Sequence, residues 1–185
     1  MKKDKISQQP PVKLIVGLLY NSDEIRNSAE HKLVDDYGII DFRSEIIKFD
    51  FTDYYSDEIG VNLLRYWISF NKLISSENIH KLKIRTNEIE AQYCDQFNRR
   101  KINIDPGYIT GSKLILLSTK DYSHRIYLSD GIYAEVTLIY RNNRFNDLEW
   151  TYPDYRTETA KMFFSTVRTN YLQQLKCNNQ GINPR

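Results

Sequence analysis

The chain of 185 residues is short of several features, and each shortage removes a class of protein. It has only two cysteines, Cys94 and Cys177. They stand far apart, near the ends of two predicted helices, without the paired spacing of a zinc or redox site, so both are expected as free thiols. Charge of one sign is also scarce: 26 basic and 24 acidic residues leave a formal net charge of +2. That balance is too mild to imply a polyanionic partner, and it does not point to nucleic acid. No apolar run is long enough to span a bilayer, and the N-terminal stretch lacks the apolar core of a signal peptide. The expectation is a protein without membrane association, located in the cytoplasm. Internal repeats are absent, and no composition break marks a second domain. The one excess is tyrosine, at 14 residues, whose amphipathic rings suit strand surfaces and binding faces alike.

Read in order, residues 1–11 are polar and close on Pro10-Pro11, which predicts a disordered tail. A single α+β domain is expected over 12–176, followed by an asparagine-rich tail at 177–185. Val12 to Tyr20 is a short, nearly continuous apolar run of strand length, as in a central strand buried on both faces. Asn21 with Glu24 can cap a helix, in which Ile25, Ala29, Leu33 and Tyr37 recur until Gly38 ends it. From Ile39 to Phe51 the apolar parity switches, predicting a strand with a bulge near Ser44 to Ile46. An acidic, aromatic connection, Thr52 to Gly60, follows; it reads as a solvated loop or as a flap whose tyrosines cover a ligand. A third strand is expected at Val61 to Phe70, and a second helix capped by Ser75 or Ser76, with Ile79, Leu82, Ile89 and Tyr93 as its stripe. A fourth strand begins near Lys101 to Ile104. The order β-α-β-β-α-β is the split form of ferredoxin-like folds, here in a mixed or antiparallel sheet with an added hairpin and a C-terminal helix. Ala160, Phe163, Phe164, Val167 and Tyr171 form that helix's apolar side.

The stretch Asn103 to Tyr140 carries most of the candidate chemistry. A turn is expected at Asp105-Pro106-Gly107, then strand to Ser118, a break over Thr119 to Ser123, and a hairpin around Asp130-Gly131. A three-residue loop, Ser129 to Gly131, segregates the side chains best. His124, Ile126, Leu128, Ile132, Ala134, Val136 and Leu138 then share one face, and Arg125, Tyr127, Tyr133, Glu135 and Thr137 the other, with Arg125 opposite Glu135.

Five blocks carry a resemblance: Phe49 to Tyr55, Asn103 to Tyr108, Ser118 to Leu128, Gly131 to Leu138, and Trp150-Thr151-Tyr152-Pro153-Asp154-Tyr155-Arg156. Together they resemble a bacterial family known as the numbered domain of unknown function 4416, some of whose members are labelled GTP-binding protein. The likeness spans nearly the whole chain apart from its tails, and the label implies nucleotide binding. A phosphate loop of the common NTPase type needs Gly, four residues, then Gly-Lys-Ser/Thr at a helix start. Gly107 to Lys113 is one residue short, has Ser112 before Lys113 rather than after it, and runs into a strand.

The candidate site is therefore a polar constellation. Lys120, Arg125, Arg156, Asp105, Lys113, Tyr127 and Tyr133 are the expected ligand-binding residues, and His124, Asp121 and Glu135 the candidates for proton transfer. Lys and Arg suit phosphate or carboxylate clamps; Asp, His and Glu suit acid-base work or a hard metal. The plainer assignments are a satisfied histidine at His124, a cross-strand ion pair between Arg125 and Glu135, and turn or cap roles for Asp105 and Asp154. The leading functional reading is a protein that binds, and in one version turns over, an anionic small molecule such as a nucleotide. The alternative is an interaction module with a patch of Tyr54, Tyr55, Tyr127, Tyr133 and Tyr155, and RNA binding stands third. No cofactor, metal or oligomeric state is specified by these residues.

Overall fold

The structure, a computed structural model, describes residues 9–180; the parts of the two expected tails at 1–8 and 181–185 lie outside the described residues. Among the described residues, nine strands form one open antiparallel sheet in a single α+β domain. The ferredoxin-like part is β1 (Val12–Tyr20), α1 (Asp23–Tyr37), β2 (Ile40–Arg43), β3 (Ile47–Lys48), β4 (Leu64–Ile74), α2 (Lys81–Ala91) and β5 (Ile102–Ile109). It continues as β6 (Lys113–Ser118), β7 (Ile126–Ser129), β8 (Ile132–Arg141) and β9 (Arg144–Asp147), and α3 (Glu158–Gln180) closes the described chain. The strands lie in the order β2-β4-β1-β5-β6-β8-β7, with β3 beside β4 and β9 beside β8. β2 and β3 are the two halves of the strand expected to bulge, interrupted at 44–46.

Strand β1 has no exposed residue because the sheet is covered on both faces. On one face Leu14, Val16 and Leu18 meet Ala29 and Leu33 of α1 and Leu82 and Ile89 of α2. On the other, Ile15 and Trp67 meet Ala160, Phe164 and Val167 of α3. Burial of so many large apolar side chains, each worth about 1.5–3 kcal/mol, holds the three layers together. Helix α1 starts one residue later than its sequence suggests: Ser22 caps the amide of Ile25, and the Asn21 amide donates to the Ile59 carbonyl at 2.8 Å instead. Helix α3 runs on through Cys177.

Asp105-Pro106-Gly107 does not turn. It lies inside β5, paired with Gly17, Val16 and Ile15 of β1, and the chain reverses at 110–112. Proline is tolerated there because β6 pairs with β5 only at Gly107 to Ile109; at Pro106 that edge is open, and no N–H is needed. Two positions upstream, the amide of Ile104 donates to Glu90 Oε1 at 2.7 Å and its carbonyl accepts Lys83 Nζ at 2.9 Å. Side chains of α2 thus take the backbone bonds that a strand would have made. Gly107 sits where the two strands converge, and a Cβ there would lie 2.4 Å from the Ile115 carbonyl oxygen. Beyond it the strands splay and a cleft opens.

The hairpin keeps the register drawn from the sequence, Ile126 facing Ala134 and Tyr127 facing Tyr133, but its loop is tighter. Ser129 pairs with Ile132 across Asp130 and Gly131, both at positive φ, and the ladder slips by one residue between Tyr127 and Ser129. The expected sorting of faces fails. β8 carries a second slip, Leu114 facing Leu138 and Ile115 facing Val136, so its parity reverses at Thr137. Ile132 belongs to the core under α1 and α2, and Leu138 to the core under α3. Arg125, Glu135 and Thr137 are buried, whereas Ile126 is 71% exposed.

Candidate functional site

The floor of the cleft is the sheet face that α3 covers further along. Alternate residues of one strand share a face, so Arg65 lies on the side of Trp67, and Asp105 and Asn103 on the side of Ile109. Arg65, buried in a strand otherwise apolar around it, is held by two carboxylates. Its Nε donates to Asp154 at 2.7 Å, and its two terminal nitrogens to one oxygen of Asp105, each at 3.0 Å. Asn103 donates to the same Asp105 oxygen at 2.7 Å. Asp154 comes from a 3-10 turn, Pro153–Arg156, whose Tyr155 packs on Trp67 and Phe164. Arg100, at the mouth of β5, donates to Glu58, Glu90 and Asn103.

The wall is built by the break before the hairpin. Glu135 accepts Arg125 Nε at 2.7 Å, stands 3.2 Å from His124 Nε2, and takes the Thr137 hydroxyl on its second oxygen. The remaining N–H groups of Arg125 reach Ser118, the Lys120 carbonyl and, at 2.6 Å, the Tyr152 hydroxyl. His124 stacks between Tyr122 and Trp150, nearly parallel to both. The mouth is aromatic. Phe49, Phe51, Tyr54 and Tyr55 pack edge to face, and Lys120 Nζ spans the opening to the Tyr54 hydroxyl at 2.9 Å. The segment 49–55 therefore forms one side of the cleft.

These groups enclose a cavity of about 510 Å³, in the range of small-molecule sites, which run from roughly 300 to 1,000 Å³. Arg65, Lys83, Arg100, Lys120 and Arg125 line it with Asp105, Glu135 and Asp154, and each of these cations but Lys120 lies beside a carboxylate. The two carboxylates on Arg65 shift in opposite directions. Burial would raise Asp105, but Arg65, Lys83 and the Asn103 amide outweigh it and hold the carboxyl below the usual range. Burial raises Asp154, the neighbouring Asp105 charge adds to it, and Arg65 does not offset the two. Burial would lower the guanidinium of Arg65; Asp154, Tyr155 and Asp105 more than reverse this. Burial likewise raises Tyr55 and Tyr152.

Of the residues singled out in the sequence, Asp105, Lys120, His124, Arg125 and Glu135 line this cavity, together with Asp154 and with Tyr54 and Tyr55 of the acidic, aromatic connection. The others do not. Asp121 is exposed on the loop. Arg156 points its guanidinium at the carbonyls of Leu148, Glu149 and Thr151 and braces that loop. Lys113 opens β6 at the far end of the strand pair, where the Thr110 amide donates to its carbonyl at 2.9 Å; a β-turn leading into a strand offers no helix start for a phosphate. Tyr127 and Tyr133 pair with each other at 5.4 Å, outside the cavity. The five-tyrosine patch does not form, because Tyr155 is buried beneath α3 and Tyr54 and Tyr55 border the cleft. Sequence reasoning passed over Arg65, Lys83, Arg100 and Asn103. A signal existed for two of them: Arg65 is a lone charge in the run Leu63 to Phe70, and Lys83 shares the buried side of α2 with Leu82, Thr86 and Glu90.

An α+β domain with an open antiparallel sheet and a charged cleft at its uncovered end is the class that this fold and site define. The chain belongs to the family described as Domain of unknown function (DUF4416), whose model matches residues 10–171. No curated protein and no solved structure matches it. Among the described residues no helix is long and apolar enough to cross a membrane.

Proposed function

We propose that the cleft binds an anionic small molecule of nucleotide size. The observation that carries this reading is the lining itself: five cationic side chains and an aromatic mouth converge on one cavity of ligand dimensions. Lys120 and Arg125 supply charge at the wall, and Phe51, Tyr54 and Tyr55 offer ring surface against which a planar group stacks. His124, held between two rings beside Glu135, would move a proton for a bound ligand.

The test is a thermal-shift and calorimetric panel of inorganic phosphate, nucleotides, sugar phosphates and dicarboxylates. Lys120 is exposed and its ammonium has the Tyr54 hydroxyl as its hydrogen-bond partner, so Lys120→Ala should leave the fold intact. One lost charged hydrogen bond is worth about 1.5–3 kcal/mol, which weakens affinity by about tenfold or more. A panel in which no anion raises the melting midpoint would refute the reading.

A second reading rests on a separate surface. The edge strand β7 has no charged residue over 126–129 and exposes Ile126 and Tyr127, unlike edges that proteins protect with charge. A protein partner would dock there, and Ile126→Lys would abolish its binding without touching the cleft.

A further inference from the structure

Two groups in the cleft keep hydrogen-bonding capacity that the protein does not use. Asp105 gives one oxygen to Arg65 and Asn103; its other oxygen has only Lys83 Nζ near it, at 4.0 Å. Lys83 is 6% exposed and spends one N–H on the Ile104 carbonyl at 2.9 Å. Its other neighbours, Glu90 at 3.6 Å and Asp105 at 4.0 Å, lie beyond hydrogen-bond reach. A buried ammonium with spare N–H groups and a carboxylate with a bare oxygen, side by side on a cavity wall, form a donor next to an acceptor. Both groups face the cavity with this capacity open to a ligand, so the pair is a recognition element in waiting.

From this we infer that Lys83 and Asp105 read the –CO–NH– edge of a planar lactam ring, as found in guanine, hypoxanthine or uracil. The inference rests on the anion-binding reading and narrows its ligand. Lys83 donates to the ring carbonyl and Asp105 accepts the adjacent ring N–H, while the phosphate end faces Lys120 at the mouth. Asp105 suits the role because Arg65 and Lys83 keep it ionised, and an ionised carboxylate only accepts. With the phosphate end held at Lys120 so that the base enters in one orientation, an amidine edge, as in adenine or cytosine, reverses the pattern: its ring nitrogen would face the Asp105 oxygen and its amino group would face the ammonium. Mismatched buried donors and acceptors discriminate more strongly than a change of size does.

The experiment is calorimetric titration of the wild-type chain with GMP, IMP, UMP, AMP, CMP and ribose 5-phosphate at one salt concentration. GMP, IMP and UMP should bind at least tenfold more tightly than AMP and CMP, and Asp105→Asn should collapse the ratio of GMP to AMP. Equal affinity for lactam and amidine bases, or for ribose 5-phosphate, overturns the inference and leaves anion binding standing. Failure of all six and of the wider anion panel removes both. Should Asp105→Asn fail to fold by circular dichroism, the wild-type affinity ratios alone decide between these outcomes.

Discussion

Replacing Gly107 with alanine tests the convergence of β5 and β6 on which the cleft depends. The new Cβ would stand 2.4 Å from the carbonyl oxygen of Ile115 and 2.7 Å from a Leu116 methyl, against the 3.0 Å that real Cβ contacts respect. The leucine methyl can swing away. The carbonyl is backbone, so at least 0.6 Å of separation must come from moving one strand. Only Gly107, Tyr108 and Ile109 pair with β6, so the shift strains one of three rungs and has no long ladder to absorb it. Overpacking of this kind costs about 1–3 kcal/mol, and for a chain of this size each kcal/mol lowers the melting midpoint by about 2–4 °C. The expected drop is therefore between about 2 and 12 °C. Gly111 is the control: it meets only a Leu172 methyl, at an ordinary 3.7 Å, and its alanine variant should melt within about 2 °C of wild type. Thermal unfolding followed by circular dichroism decides it. Equal midpoints for Gly107→Ala and wild type, or equal losses in both variants, would refute the argument from close approach.

Two further outcomes follow from buried groups. Arg65→Met strands Asp105 and Asp154 without their shared cation and should destabilise by about 3–5 kcal/mol, read from urea unfolding; Asp154→Asn in the same background should recover part of the loss, and a double mutant no better than the single one would contradict the bridge. Burial pushes Tyr37 up to about 12 and raises Tyr66 and Tyr155 as well, whereas an unfolded tyrosine titrates near ~10. Folding therefore retains protons above that pH: stability is complete below about pH 10 and falls as the pH rises towards 12. Tyrosinate absorbance from the buried rings should appear together with loss of the helical signal, and full ionisation of the native protein would contradict their burial.

The ferredoxin-like order was legible because each strand and helix announces itself locally: β1 by nine apolar-rich positions in a row, α1 by its period and Gly38, the break in β2/β3 by a switch of parity. The register of the hairpin at Ile126 and Tyr127 was legible from Asp130-Gly131 and the apolar alternation beside it, although the sorting of faces that went with it does not extend along β8. Asp105-Pro106-Gly107 misled because proline and glycine usually mark turns. Here they mark an open strand edge and a close strand crossing, both of which depend on where β6 lies. The faces of β8 were not legible, since the slip at Thr137 is a property of its ladder with β6. Five cavity residues could be picked out because they cluster within or beside the stretch that ends in the hairpin. Arg65, Lys83 and Arg100 come from three other places in the chain, and only the folded sheet brings them to Asp105.

The gap between β5 and β6 behaves as a seam held unzipped. Zipping the two strands past Gly107 would give Ile104 a strand partner, and the missing N–H of Pro106 and the grip of Glu90 and Lys83 on the Ile104 backbone oppose it. Lys83 therefore has two tasks at once: a ligand that takes its spare N–H groups shares an ammonium already bonded to the Ile104 carbonyl. Occupancy of the cleft would then register in the hydrogen exchange of the Ile104 amide and along α2, making that helix the place where a filled site is felt on the opposite face of the sheet.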